Sequence, residues 1–409
     1  MKFNTVILGA LGVRSGLGIA VPVAPRDEPP AALGTKVQVL EAKYFKELGA
    51  KRVKITYGPM LLPGADDATT HGMQGFPDRD VLMPCRECLI TGFTTDLQWE
   101  DGSTANANKG VWLHHTGLMN LNRTDASCPE WPERINVNGN ERSPFDMTVK
   151  GTRKAGYYVR KTDQIFLQTE VMNYAQDPRL VYLAMEWEYV EGIPDGFDIV
   201  TPVWLDVKGN CLTDLPAPAG PNNMVFNVTM GAAGYSPNFT GELFLIVPHI
   251  HDGNTKQEVY IDGKLVCQNV PGYGETEAFV THEGMYGHEH EHGEEPGHEH
   301  GGGEEGHHDH GSDDHILHVS SITQCVNLGK VGPGNKITVA SWYNMTEHKP
   351  MKDHDGSLEP IMGIAFLHFA RPKDEVLKDI LAMKGGSVEA FLARVAENDA
   401  KEHAQAAPH

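Results

Sequence analysis

Within residues 180–189 apolar side chains fall at alternate positions, the period of a β-strand that buries one face. In 180–189, Val181, Leu183, Met185, Trp187 and Tyr189 share one side while Glu186 and Glu188 take the other. With the run 164–173 and the turn residues Gln176-Asp177-Pro178, this pattern predicts a hairpin. A second hairpin is predicted where 258–261 and 265–267 are joined by Asp262-Gly263, a dipeptide that supplies positive φ for a two-residue turn. Many short strands with turn signals and few helical periods predict an all-β fold: two stacked antiparallel β-sandwich (jelly-roll-like) domains with a disordered His-rich insert and a C-terminal helical tail.

The chain has 409 residues, enough for two domains of roughly 100 to 200 residues each. Val37, Val39, Val53 and Ile55 mark the first edge strands. The Pro-rich stretch 215–221 reads as a linker, so the first sandwich is placed at 30–215 and the second at 222–372. From 373 to 409 the chain turns helical, with Val376, Leu377, Ile380 and Leu381 spaced for one face and Val388, Phe391, Leu392 and Val395 repeating the pattern.

Met1-Lys2, the apolar run 6–13 and small residues near Ala20 and Ala24 have the layout of a signal peptide over 1–24, although Arg14 interrupts it. Six cysteines, Cys85, Cys88, Cys128, Cys211, Cys267 and Cys325, form an even set. Asn122, Asn227, Asn238 and Asn344 begin glycosylation acceptor patterns. Together these features predict a secreted, extracellular protein in an oxidising compartment. Sequence alone leaves the disulfide pairing open; Cys267 with Cys325, and a tie from Cys128 to the Cys85-Cys88 pair, are the preferred links. The Cys85-Arg-Glu-Cys88 spacing also admits a redox or zinc motif. A formal charge of −21 argues against nucleic acid as a partner, because no basic cluster is available to neutralise phosphates. After the leader no apolar run reaches about 18 residues, so no membrane span is expected.

Three features carry candidate chemistry. His249 and His251 alternate along a strand and point the same way, offering two imidazoles to one ion. His114 and His115 are adjacent, so a regular strand would turn them to opposite faces, and joint ligation needs a bulge or strong twist. Met362 lies in an apolar run and by itself reads as core; beside two imidazoles, its thioether would favour copper. The window 282–318 is a separate material, with 11 of the 21 histidines, 11 acidic residues and no Lys or Arg. His288, His290, His292, His298, His300, His307, His308 and His310 could gather copper, zinc or nickel ions at low affinity, or belong to a merely solubilising insert.

The order of these motifs, a His-His pair, a Leu-Gln strand at Leu167-Gln168, a His-x-His followed by Asp252-Gly253, a cysteine-bearing hairpin and a late methionine, resembles the copper monooxygenase core of peptidylglycine α-hydroxylating monooxygenase. The stretch from His249 to Gly274 with Met362-Gly363-Ile364 more closely resembles uncharacterised fungal and plant secreted proteins related to the stress-upregulated nodulin family. The resemblance implies two copper sites across a solvent gap: His114 and His115 in an electron-storing site, His249, His251 and Met362 in a main site that activates oxygen. It departs at the third histidine of the first site, because Thr169 is followed by Glu170; Glu170 and Met172 share a face and either could approach the pair. Three functions follow: a copper oxidoreductase acting on a small molecule or peptide with an external reductant, a non-catalytic protein for copper scavenging, buffering or delivery, and a structural module of enzyme ancestry.

Overall fold

The computed structural model of the protein describes residues 35–209, 211, 215–218, 224–282, 315–350 and 358–383. The leader 1–24, the eight loop histidines from His288 to His310 and the chain beyond Met383 lie outside the described residues.

The all-β expectation holds, and the two halves are joined by one ten-stranded sheet. Its first half runs in the order Lys36–Leu40, Lys51–Leu62, Arg179–Glu191, Cys88–Gln98, Ala155–Val159, with the short Phe145–Asp146 beside Cys88–Gln98. Its second half runs Asp198–Asp206, Gly363–Arg371, Gly241–Ile250, Cys325–Val331. The halves meet where Asp198 and Ile199 pair in parallel with Ala155 and Gly156. Two four-stranded antiparallel sheets complete the architecture: Met73–Asp78, Ile165–Asn173, Val111–Thr124 and Pro132–Asn138 in one, Val225–Thr229, Ile337–Asn344, Asn254–Ile261 and Lys264–Asn269 in the other.

The central strands are buried on both faces. Trp204, Val247, Ile364 and Phe366 join the core shared with the first small sheet. Their neighbours Val203, Leu205, Ile246 and Leu367 join the core shared with the second. Every residue of Gly363–Arg371 is buried, which explains an apolar run without period-two alternation. Asp198–Asp206, placed by the linker argument in the first sandwich, pairs along Ile199 to Asp206 with Gly363–Arg371 of the second half.

The structure corrects two expectations and bears out others. Ile165–Asn173 and Arg179–Glu191 are both strands, but they do not pair as a hairpin: the first lies in a small sheet and the second in the large one. Both are largely buried, so alternation alone could not say which neighbour each would choose. Cys128 pairs with Cys211, and Cys85 with Cys88, so the tie between Cys128 and the Cys85-Cys88 pair is absent. Glu87, at φ 55°, turns the chain between Cys85 and Cys88 at the start of a strand, not at the helix opening a redox motif requires. Cys267 bonds Cys325, and Asp262 and Gly263, at φ 52° and 78°, make the tight turn of the second hairpin. Lys373–Ala382 is helical and buries Val376 and Ile380 against Leu89, Val190, Phe197 and Ile199. No helix among the described residues is long and apolar enough to cross a membrane.

His368 lies fully buried in Gly363–Arg371 amid the rings of Phe145, Phe244 and Phe366. Burial pushes its pKa down to about 4. The unfolded chain, with a histidine pKa near 6.5, takes up this proton first, so the contribution of His368 to stability is complete above about pH 6.5 and is lost as the pH falls towards about 4. In urea unfolding of the metal-free protein, His368→Leu should shrink the stability difference between pH 7 and pH 4.5 by about 2 kcal/mol. An unchanged difference would show that the buried imidazole does not drive it.

Candidate metal centre

Because Gly241–Ile250 is buried on both sides, the face that carries Val247 and His249 looks into the first half of the protein. His249 pairs with Ile364 across the sheet, and His251 continues the same face just beyond the strand end. Opposite stands Val111–Thr124. Its register with Ile165–Asn173 shifts between Leu113 and His115, and this irregularity lets two consecutive histidines reach one centre. The joint use of His114 and His115 therefore rests on the distortion that their adjacency demanded.

The two histidine pairs do not stand across a solvent gap. All four imidazoles converge: the His115 ring lies 4.0 Å from that of His114, 5.2 Å from His249 and 5.1 Å from His251. The candidate donor atoms of His114, His115 and His251 all fall within 4.8 Å of one another.

Each ring is held through Nδ1. His114 and His115 donate to the same Glu170 oxygen at 3.0 and 3.1 Å, His249 donates to Glu141 at 2.8 Å, and His251 donates to the Pro360 carbonyl at 2.7 Å. A carbonyl or carboxylate oxygen only accepts, so Nδ1 carries the proton and Nε2 presents a lone pair. The Nε2 atoms of His115 and His251 then face each other at 3.0 Å. Burial, reinforced by the neighbouring imidazoles, pushes His115 down to about 3 and His251 well below its ordinary value, so at neutral pH no second proton lies between them. Burial alone would raise the Glu170 carboxyl, but the hydrogen bonds from His114 and His115 outweigh it and hold the group well below the usual carboxylate range. The His249 Nε2 is buried without a hydrogen-bond partner among the described residues. Opposed lone pairs in a dry pocket fit a cation, and an all-imidazole donor set with hydrogen-bonded Nδ1 atoms suits copper.

Glu170 thus accepts from both rings of the pair. Met172 packs instead with Ala107 and Trp112 and accepts a hydrogen bond from the Tyr174 hydroxyl at 3.6 Å. Met362 is buried in the large core. Its register places it on the face of His249 and His251, since Ile364 is the pairing partner of His249.

Sequence reasoning missed the loop after Pro132–Asn138. A Cβ on Gly139 would meet the His249 ring at 2.7 Å and the His114 carbonyl at 2.9 Å, so only glycine lets these two histidines approach. Glu141 of the same loop holds His249, and the one available signal was Asn138-Gly-Asn-Glu141 as a turn ending in a carboxylate. A second omission is the chain of Asp252, His318 and Thr281. His318 donates to Asp252 at 2.6 Å, its Nε2 lies 2.8 Å from the Thr281 hydroxyl, and Trp112 packs edge-on at 4.6 Å. This ties the stem of the His-rich insert, Val280–His282 and His315–Leu317, to the strand end beside His251. The cluster opens into a cleft walled by Trp112, Ile250, Val319, Pro350 and Pro360, with Asn140, Glu141, Asp252 and Glu359 among its polar members.

No known family profile matches the chain. Two curated sequences are similar to it. It is 31% identical over 328 residues to the probable copper-dependent oxygenase M1 of Phoma sp., covering 80% of this chain and 74% of that protein. It is 30% identical over 288 residues to the probable copper-dependent oxygenase clz3 of Cochliobolus lunatus, covering 70% of this chain and 81% of the relative. At this identity and coverage the chain belongs to the family of these probable copper-dependent oxygenases. Among solved structures, PNGF-II matches with a TM-score of 0.34 at 9% identity, covering 78% of this chain and 65%, less than two thirds, of that one. A peptide-N(4)-(N-acetyl-β-D-glucosaminyl) asparagine amidase gives 0.33 at 10% identity, covering 78% and 96%. At these scores neither bears on the reading of the site.

Glu170→Gln preserves shape but replaces one accepting oxygen with a donating NH2. The remaining carbonyl oxygen can still accept from both His114 and His115, as one Glu170 oxygen does, so the change removes the buried negative charge that favours a cation. Copper affinity, followed by competition with a chromophoric chelator, should fall about 10- to 100-fold with the fold intact. Parent-like affinity would remove Glu170 from the account.

Proposed function

We propose that this protein is a secreted copper-dependent oxygenase whose copper is held by His114, His115 and His251, with His249 completing the wall of the site. The observation that carries this reading is the pair of facing Nε2 lone pairs of His115 and His251, 3.0 Å apart in a buried pocket and without an intervening proton. Bound copper would supply one-electron redox chemistry towards dioxygen. The protein's own groups do the rest. Glu170, Glu141 and the Pro360 carbonyl fix which nitrogen of each ring faces inward, and their negative charge and dipoles favour a cation. Trp112, Ile250, Val319 and Pro360 line one side of the cleft with hydrocarbon. Inserting one oxygen atom into a substrate leaves the other to be reduced to water with electrons from an external reductant. Convergence of both histidine pairs on one centre supports a single-site oxygenase over the two-centre hydroxylation implied by the peptidylglycine monooxygenase resemblance. Three disulfides and the exposed acceptors Asn227 and Asn238 support export and glycosylation.

A second reading, copper capture and delivery without catalysis, draws on the composition of 282–318 and on His282 and His315, whose rings lie 4.3 Å apart at the stem of the insert. Oxygen-electrode measurements on copper-loaded protein with ascorbate separate the two. The oxygenase reading predicts uptake above that of equimolar free copper, lost in His251→Ala and retained after deletion of 283–314. Uptake no greater than the free-copper control would leave capture as the function.

A further inference from the structure

The cleft beside the imidazole cluster contains a polar group that the metal chemistry does not use. Asn140 is 3% exposed and lines the cleft next to His114 and His249. Neither its Nδ2 nor its Oδ1 has a hydrogen-bond partner among the described residues. Its position is fixed from both sides. Gly139 N–H donates to Asn138 and to Glu141, Arg142 N–H closes the turn on the Gly139 carbonyl, and Glu141 is engaged by His249. A buried carboxamide that satisfies neither its donors nor its acceptor costs on the order of 1 to 3 kcal/mol, so a site that retains one is built for an occupant that pairs with it.

We propose that Asn140 orients the substrate, and that the substrate is a largely apolar molecule bearing a neutral group that both donates and accepts a hydrogen bond, an amide or an alcohol. The inference rests on the oxygenase reading of the same site. Trp112, Ile250, Val319 and Pro360 offer hydrocarbon contact. The carboxamide offers a donor and an acceptor side by side, which an amide or a hydroxyl complements and an ether or ester cannot fully satisfy. Glu141 and Asp252 on the same lining, with Glu170 behind the histidines, make the cleft acidic and disfavour a carboxylate. A group anchored at Asn140 sets an adjoining carbon against the face of His114 and His249, so this contact selects which carbon is presented for oxygenation.

The test is calorimetric titration of the full-length, copper-loaded protein with hexanamide, 1-hexanol, hexyl methyl ether and hexanoate, repeated with Asn140→Leu and Asn140→Ala. Copper per chain is measured on every sample. Hexanamide and hexanol should bind about tenfold more tightly than the ether or hexanoate in the parent. Both variants should keep their copper, lose that preference, and bind the ether as the parent does. Equal binding of amide and ether by the parent, or a preference that survives in Asn140→Leu, would overturn the assignment. Loss of copper from both variants would overturn it too, making Asn140 a support of the metal centre. If the parent itself holds no copper, the oxygenase reading falls, while the amide preference of the metal-free protein still decides the role of Asn140.

Discussion

The structure depends on the burial of Gly363–Arg371 and Gly241–Ile250 from both sides. A strand with one face to solvent can carry chemistry only on its other face and only against one neighbouring sheet. A strand sandwiched between two cores presents each alternate set of side chains to a different half of the molecule. Ile246 and Leu367 serve the second half, while Val247, Phe366 and, at the end of the row, His249 face the first. The imidazoles of one half therefore meet those of the other across a shared core, not across a solvent gap.

Within that meeting the protons are arranged so that only one outcome is electrostatically satisfied. A single buried carboxylate, Glu170, receives two imidazole N–H groups, and Glu141 and the Pro360 carbonyl take one each. These bonds stabilise the ionised carboxylate of Glu170 in a place where burial alone would protonate it. They also leave the inward nitrogens bare, and in a medium of low polarity opposed lone pairs are costly unless a cation lies between them. The same bonds that orient the rings thus make the site attract a metal ion. Gly139 extends the constraint to the backbone, since the closeness of His249 and His114 leaves no volume for a side chain there.

Much of this was legible as pattern. Period-two alternation found the strand 180–189, the Asp262-Gly263 dipeptide found its hairpin, and the spacing of His249 and His251 put both on one face. Adjacency of His114 and His115 required a bulge, and the register shift lies there. Pattern failed where pairing is decided by what lies across space. Ile165–Asn173 and Arg179–Glu191 are consecutive strands, yet they join different sheets, each pairing with strands remote in the chain. Cys128 likewise met Cys211 because Trp131 and Phe166 gather both into one small cluster.

The sequence by itself determined the class of fold, the donors and their local directions, because backbone period, turn chemistry and imidazole basicity are properties of a few neighbouring residues. Only the tertiary structure decided that the four imidazoles converge, that Glu170 holds two of them, and that Asn140 lines the cleft beside them. Those relations join residues far apart in the chain, 55 positions from His115 to Glu170, 108 from Glu141 to His249 and 136 from His115 to His251. They arise when two sheets close on a common core, and no local period in the chain encodes that closure.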